Sequence, residues 1–244
     1  MSVNSKMTAI ADAIRSKTGG TEHLTLDDMA TEVNAVHEAG KAAEHKDFWD
    51  VALRSQTYMV YAFAGCCWKD ETFKPKYDIK PKGNITGMFR ASYITNLKKC
   101  LEDAGVTLDL SQATNASAAF GYQGQFTTLP KLDLSSATTL TQTFNDDAAL
   151  VTIEEIKFGA NGKFSQTFDD CSSLTNMTVT GVIGQNGLNL SFSPLLTHDS
   201  LMSVINALQT KTSGTWTVTL GATNLAKLTD PEKSIATAKG WTLV

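Results

Sequence analysis

Two short stretches of the sequence contain residue types used by hydrolytic enzymes, but their spacing does not suit catalysis. His198-Asp199-Ser200 has the three residue types of a serine-hydrolase triad. Consecutive residues of a helix point in different directions, so these side chains cannot form a relay, and helix capping explains them better. Glu154-Glu155 could suggest a glycosidase pair, but neighbouring residues of a strand face opposite sides of the sheet. The sequence therefore predicts no enzyme and no catalytic residue.

Histidine and cysteine do not have the spacing of a metal site. The four histidines are scattered, and none lies in a motif such as H-E-x-x-H. Cys66, Cys67, Cys100 and Cys171 match neither a zinc motif nor a disulfide framework, which favours free thiols, buried or partly buried. No glycine-rich phosphate motif is present. We therefore expect no cofactor and no metal.

Acidic residues directly follow two phenylalanines, as Asn145-Asp146-Asp147 after Phe144 and Asp169-Asp170 after Phe168. This pattern could be taken for a calcium ladder. It is not maintained after Phe120, where Gly-Tyr-Gln follows, so the acids do not recur at every repeat. Turn formation by the Asx side chains is the favoured interpretation.

Length and charge exclude several classes of protein. The chain has 244 residues, a formal net charge of −4 and a sequence pI of about 5.6. No cluster of Lys or Arg stands out, which argues against nucleic-acid binding. No apolar run has the length of a membrane-spanning helix, and the N-terminus lacks the pattern of a secretory signal, so we expect folding in a cytoplasm.

The second half of the chain contains a repeat of 24 residues. Phenylalanines recur at this interval, and two further apolar registers run with them. A fixed period of 20 to 50 residues is typical of a solenoid, in which each unit buries its apolar side against its neighbours. The predicted solenoid covers 106–192. Its predicted core is Leu108, Leu110, Phe120, Leu132, Leu134, Phe144, Ile156, Phe158, Phe168, Val182 and Phe192.

Two segments precede the repeats. Residues 1–46 are expected to form a helical hairpin and linker, because apolar residues recur at helical spacing on either side of Gly19-Gly20. Two such short helices must dock on something, so we assign them to assembly or attachment. The residues that carry this role are Met7, Ile10, Ile14, Met29, Val33 and Val36. Residues 47–105 are interpreted as an aromatic-rich N-terminal cap and an irregular first coil, with an aromatic ligand platform as the alternative for the aromatic block.

Residues 193–244 are expected to form a C-terminal α/β cap. Thr197 or Asp199 is placed to begin a helix, and Thr215–Leu220 alternates like a strand. Thr229 begins another helix with proline in its first turn, Gly240 ends it, and Trp241–Val244 closes the chain as a strand.

The stretch Thr-Phe-Asp-Asp-Cys-Ser-Ser-Leu-Thr-Asn-Met at 167–177 resembles the BspA-like leucine-rich repeats. The segment from Ile10 to Met29, and the segments 196–208 and 220–230, resemble prophage tail and baseplate-associated proteins of Gram-positive bacteria. These resemblances imply an α+β fold: a helical hairpin, a leucine-rich-repeat-like β-solenoid of about 24-residue coils, and the C-terminal cap.

They also imply a non-enzymatic protein of the virion tail, assembled in the host cytoplasm. Its expected partners are other tail proteins, bound through the hairpin, and a host-surface glycan or protein. The resemblance also suggests a homo-oligomer, specifically a trimer. Neither nucleic-acid binding nor membrane insertion is expected. Low charge and scattered aromatic residues suit carbohydrate, with Tyr122 or Trp216 as candidate contacts. The alternative is a bacterial leucine-rich-repeat surface adhesin.

Overall fold

The computed structural model describes residues 59–65, 68–122 and 125–244. These residues all belong to one unit of the chain, Ala52–Val244. The predicted attachment hairpin, with Met7, Ile10, Ile14, Met29, Val33 and Val36, lies outside the described residues, as do residues 47–58 of the predicted cap.

The described residues contain four helices and five strands. Helix α1 spans Leu97–Ala104 and precedes three strands, β1 (Thr128–Leu134), β2 (Thr152–Phe158) and β3 (Asn176–Gly181). Helix α2 (His198–Ala207), strand β4 (Trp216–Val218), the short helix α3 (Ala222–Leu225), helix α4 (Asp230–Ala238) and strand β5 (Trp241–Leu243) complete the chain.

Parallel pairing follows the 24-residue period. Strands β1, β2 and β3 form one sheet in that order, and Thr128 pairs with Thr152, which pairs with Asn176. Between β1 and β2, each paired apolar residue lies beside the residue 24 positions further along the chain, as Leu129 lies beside Ile153. Strands β4 and β5 form a separate parallel pair. The period thus sets the register of the larger sheet, apart from one shift within the pairing of β2 with β3.

The prediction of an α+β fold with a leucine-rich-repeat-like β-solenoid is wrong. The described region is small and mixed α/β, and its strands form only the three-stranded and the two-stranded sheet. No sheet runs along the described turns, which elsewhere meet through isolated bridges such as Asn115–Thr139. One reason is that the 24-residue spacing is interrupted before β1 by α1. Another is that left-handed residues interrupt extended backbone in the turns that carry Phe89, Phe120, Phe144 and Phe168, which we call the phenylalanine turns.

Stacked phenylalanine rings form the centre of the core. Phe89, Phe120, Phe144 and Phe168 are fully buried. Their successive ring centroids are 5.5, 5.5 and 5.1 Å apart, with interplanar angles of 16° or less. Such contacts add to the free energy gained by burying each ring. Other predicted core residues are also buried, namely Leu110, Leu132, Leu134, Ile156 and Phe158.

Three predicted core residues, Leu108, Val182 and Phe192, are not fully buried. Leu108 is half-buried, and Val182 is 37% exposed. The pairing of β2 with β3 shifts between Ile153 and Ile156, so that Phe158 lies beside Gly181, not beside Val182. The shift shortens this repeat by one residue, and the buried side chain beyond the strand is Ile183.

Phe192 does not join the ring stack and is 44% exposed. In its turn, the Ser193 N–H donates to the Leu190 carbonyl, as the Thr143 N–H donates to the Leu140 carbonyl in an earlier turn. Phe192 therefore occupies the position of Gln142, two residues before the stacked ring. The prediction that Phe192 lies in the core is wrong, because this turn is built on a different register.

Each phenylalanine turn carries left-handed residues on both sides of its ring. Around Phe144 these are Gln142, with φ of 58°, and Asp146, with φ of 64°. Gln166 and Asp170 flank Phe168 in the same way. This backbone is unfavourable for most L-residues, so the packing of the buried rings must hold it in place.

Helix α2 covers the open edge of β3. Thr197 caps the helix by accepting a hydrogen bond from the Ser200 N–H. The Ser200 hydroxyl in turn accepts from the Met177 N–H at 3.0 Å, and the Ser203 hydroxyl accepts from the Val179 N–H at 2.9 Å. Backbone donors that would otherwise pair with a further strand are thereby satisfied.

The C-terminal segment is held by buried polar side chains. Asn224 is fully buried, and its Nδ2 lies 3.0–3.2 Å from the carbonyl oxygens of Leu190, Ser193 and Leu220. The Lys227 ammonium donates to the Pro194 and Leu196 carbonyls. These bonds tie α3 to the turn before α2.

Candidate functional site

The His198-Asp199-Ser200 stretch is part of the helix cap and contains no relay. Ser200 is buried with its hydroxyl on the backbone of β3, whereas His198 is exposed. The His198 Nε2 lies 2.8 Å from Glu232 Oε1. This contact joins α2 to α4 and raises the pKa of His198 above its usual value.

Glu154 and Glu155 are both occupied by ion pairs. Glu154 pairs with Lys98 of α1, and Glu155 pairs with Lys131 of β1. Two residues separate the buried Ile153 and Ile156, so both carboxylates lie on the outer side of the sheet and not on opposite sides, as the sequence suggested. Hydrogen bonds from Thr180 and Lys131 lower the pKa of Glu155, which is the reverse of what a general acid requires.

The described cysteines and the aspartates after the phenylalanines lie in environments that suit structural roles. Burial raises the pKa of Cys100 to about 12 and raises that of Cys171 well above its usual value, so both thiols stay protonated. Asp146 and Asp170 adopt left-handed backbone, as expected for Asx residues in turns. Within the part of the chain that the structure describes, no three His, Cys, Asp or Glu residues are grouped for metal binding.

The most regular surface is the outward side of the phenylalanine turns, which we call the turn face. Hydrogen bonds hold its turns in register: the Gly87, Ala118 and Gln142 N–H groups donate to carbonyls of the following turn at 2.8–2.9 Å. Neighbouring turns are therefore separated by about the spacing of paired strands, ~4.8 Å. The side chains of the turn face are Thr86, Ser117, Thr141, Ser165, Arg90, Tyr122, Gln142 and Gln166.

Polar side chains of the turn face are linked across three turns. The Tyr122 hydroxyl donates to Gln142 Oε1 at 2.5 Å, and Gln142 Nε2 donates to Gln166 Oε1 at 3.1 Å. The Arg90 guanidinium lies over the Tyr122 ring, 4.1 Å from its centroid. These contacts orient the row before any ligand binds, which lowers the entropic cost of recognition.

Of the two aromatic contacts suggested by the sequence, the structure places Tyr122 in this row and Trp216 apart from it. The Lys211 ammonium covers the Trp216 ring at 3.9 Å, and Trp216 packs against Trp241. Trp216 is therefore part of the C-terminal packing. Sequence reasoning missed Arg90, Gln142 and Gln166. The two glutamines carried a usable signal, since they lie 24 residues apart and each stands two residues before a stacked phenylalanine.

The contact between His198 and Glu232 has a defined pH dependence. Because the pKa of His198 is raised, the stabilisation from protonated His198 is complete below pH 6.5. It is lost as the pH rises through the raised pKa. Hydrogen bonds from Thr229, and to a smaller extent from His198, lower the pKa of Glu232. The stabilisation from ionised Glu232 is therefore complete above pH 4.5. We expect His198→Gln to lower the Tm most between about pH 4.5 and 6.5. Thermal melts of both proteins at several pH values check this, and an equal Tm difference at high pH would contradict it.

Searches of protein-family models, curated proteins and solved structures find no match to this chain. Among the described residues, no helix combines the length and apolar character needed to cross a membrane.

Proposed function

We propose that this chain is a non-enzymatic component of a phage tail or baseplate whose turn face binds a glycan of the host cell surface. The observation that carries the binding role is the linked row of Arg90, Tyr122, Gln142 and Gln166. The assignment to a virion is supported by the resemblance of the N-terminal and C-terminal segments to prophage tail proteins. The hairpin of residues 1–46 would then join other tail proteins.

Amide and hydroxyl groups of the turn face suit sugar recognition. Gln142 and Gln166 each keep hydrogen-bonding capacity beyond the bonds they make to one another, since each amide has two donors and an acceptor. Sugar hydroxyls require both donors and acceptors. Thr141, which is partly exposed, and Ser165, which is exposed, add hydroxyl groups beside the glutamines in the same turns. A ligand lying along the row would thus meet the same chemistry at each turn.

Catalysis is not needed to explain the row. Carboxylates that cut glycosidic bonds work as a pair, one of which has a raised pKa. Glu155, on the sheet, has a lowered pKa and is bound by Lys131 and Thr180. The proposal is therefore one of binding without cleavage.

The test compares glycan and cell binding by the full-length protein and by the double variant Gln142→Ala/Gln166→Ala. Bacterial cells and an array of cell-wall glycans serve as ligands. Losing hydrogen bonds from two amides is expected to weaken binding by about tenfold or more, at about 1 kcal/mol for each bond lost. Alanine at these positions leaves the stacked rings in place, and circular dichroism checks that the variant folds.

The matched control is Asn176→Ala/Asn206→Ala, which removes two exposed amides away from the turn face. It is expected to bind like the parent protein. Equal loss in both double variants would contradict recognition by the turn face. If the parent protein binds no cell and no glycan, contact with other tail proteins replaces receptor binding as the role of this surface.

A further inference from the structure

Residues 73–82 form a segment that bends at Lys76 and Tyr77 and carries exposed lysines. The buried side chains are Phe73, Pro75, Ile79 and Pro81, and Ile79 pairs with Leu108 in the next turn. The intervening lysines are exposed. We call Lys74, Lys76, Lys80 and Lys82 the lysine strip. These lysines take exposed positions between the buried residues, so all four charges face solvent.

Lysines elsewhere in the described chain have partners. Those of α1, β1, β2 and α4 pair with carboxylates, and Lys211, Lys227 and Lys239 donate to backbone carbonyls. Within residues 59–65, 68–122 and 125–244, five lysine side chains form neither kind of bond. They are Lys69, Lys74, Lys76, Lys82 and Lys163. Four of the five therefore fall within fourteen residues of sequence, three of them in the lysine strip.

Carboxylates near the lysine strip neutralise only part of its charge. Asp78 pairs with Lys80 at 2.8 Å and also accepts from the Thr107 N–H. Asp109 faces Lys80 from the next turn, and its carboxylate is already bound to Ser111. Lys74, Lys76 and Lys82 keep their charge unpaired on a protein whose net charge is −4. Such a local excess attracts anions against the overall charge.

We propose that the lysine strip binds a linear polyanion whose charges are phosphate groups. Its four lysines fall within nine residues of sequence and are all exposed, so the strip presents several ammonium groups close together. A linear chain of phosphates can meet several of them at once, whereas a single small anion meets one. Within this segment Ile79 forms a bridge with Leu108 of the next turn, and none of the four lysines belongs to the turn face.

Lysine and proline also occur on exposed strand edges, where they prevent pairing with another chain. That role needs the charges only to repel a neighbouring strand, and it predicts no affinity for phosphate polymers. The two roles are therefore separated by direct binding measurements.

The experiment measures binding of inorganic polyphosphate to the full-length protein and to the variant Lys74→Gln/Lys76→Gln/Lys82→Gln by fluorescence anisotropy. Affinity is expected to fall about 100-fold at low salt, because each lysine near an anionic surface contributes a factor of about five. The remaining affinity should also depend less on salt. Lys80 is left unchanged, so its pair with Asp78 is kept.

The matched control is Lys99→Gln/Lys131→Gln/Lys163→Gln, which changes the net charge equally at three exposed lysines elsewhere. It is expected to bind polyphosphate within about threefold of the parent protein. Equal loss in both variants, or no loss in the strip variant, overturns the proposal. A single-stranded oligonucleotide with the same number of phosphates should bind comparably. Much tighter binding of the oligonucleotide that is lost in Tyr77→Ala would mean that the segment recognises nucleobases. That result would also overturn the proposal.

Discussion

Replacing Phe144 by alanine is expected to lower the free energy of unfolding by about 3–5 kcal/mol. The Phe144 ring is fully buried between Phe120 and Phe168, with centroids 5.5 and 5.1 Å away. Its removal leaves a cavity in the middle of the stack and ends two ring contacts. The same stack holds the left-handed residues on either side of Phe144, so the loss extends to the turn itself. Urea denaturation of both proteins measures the effect.

Phe192→Ala is the matched control, because it removes the same side chain from the same 24-residue register. Phe192 is 44% exposed and outside the stack, so its loss is expected to cost less than about 1 kcal/mol. Comparable losses for the two variants would show that Phe192 is buried in solution, contrary to the structure.

Asn224→Asp is expected to cost about 3–5 kcal/mol at neutral pH. The change is nearly isosteric, but it replaces a donor that serves three carbonyl oxygens with an acceptor facing the same oxygens. Lys227 contacts the other side-chain oxygen, so its attraction does not relieve this repulsion. Chemical denaturation at pH 7 and pH 4 measures the loss.

Acid should partly rescue the Asn224→Asp variant, since a protonated carboxyl can donate one hydrogen bond. The exposed Asn176→Asp serves as the control and is expected to change stability by less than about 0.5 kcal/mol. A loss at Asn224 that is equally small would mean that the three carbonyls do not depend on this amide.

Local signals in the sequence predicted several elements well. Thr197 caps α2, and Thr229, Pro231 and Gly240 mark the start and end of α4, as predicted. These signals act within one turn of backbone, so they do not depend on the rest of the chain. The interval between Phe120, Phe144 and Phe168 likewise anticipates the register of the stacked turns.

Predictions based on the 24-residue interval were wrong where the chain departs from that interval by one or a few residues. A single shift between β2 and β3 exposes Val182, and a differently built turn exposes Phe192. Periodicity counts residues and cannot detect which pairing the backbone adopts. It also could not show that most turns meet through bridges and not through strands, which is why the predicted solenoid was wrong.

The candidate site was harder to predict than the core. Arg90 and Tyr122 lie in different turns and are 32 residues apart in sequence, outside the 24-residue period. Their contact depends on the longer repeat that contains α1. Gln142 and Gln166 are ordinary surface residues by composition, and only the left-handed backbone that they share directs both side chains along one row.

The serines of α2 have a consequence for how copies of this protein can associate. A parallel sheet with an open edge can serve as a template on which further chains add strand by strand into a fibril. Ser200 and Ser203 occupy the Met177 and Val179 donors of β3 from within the same molecule. Helix α2 therefore blocks the β3 edge of the three-stranded sheet. Another strand could pair with β3 only after α2 had detached from it.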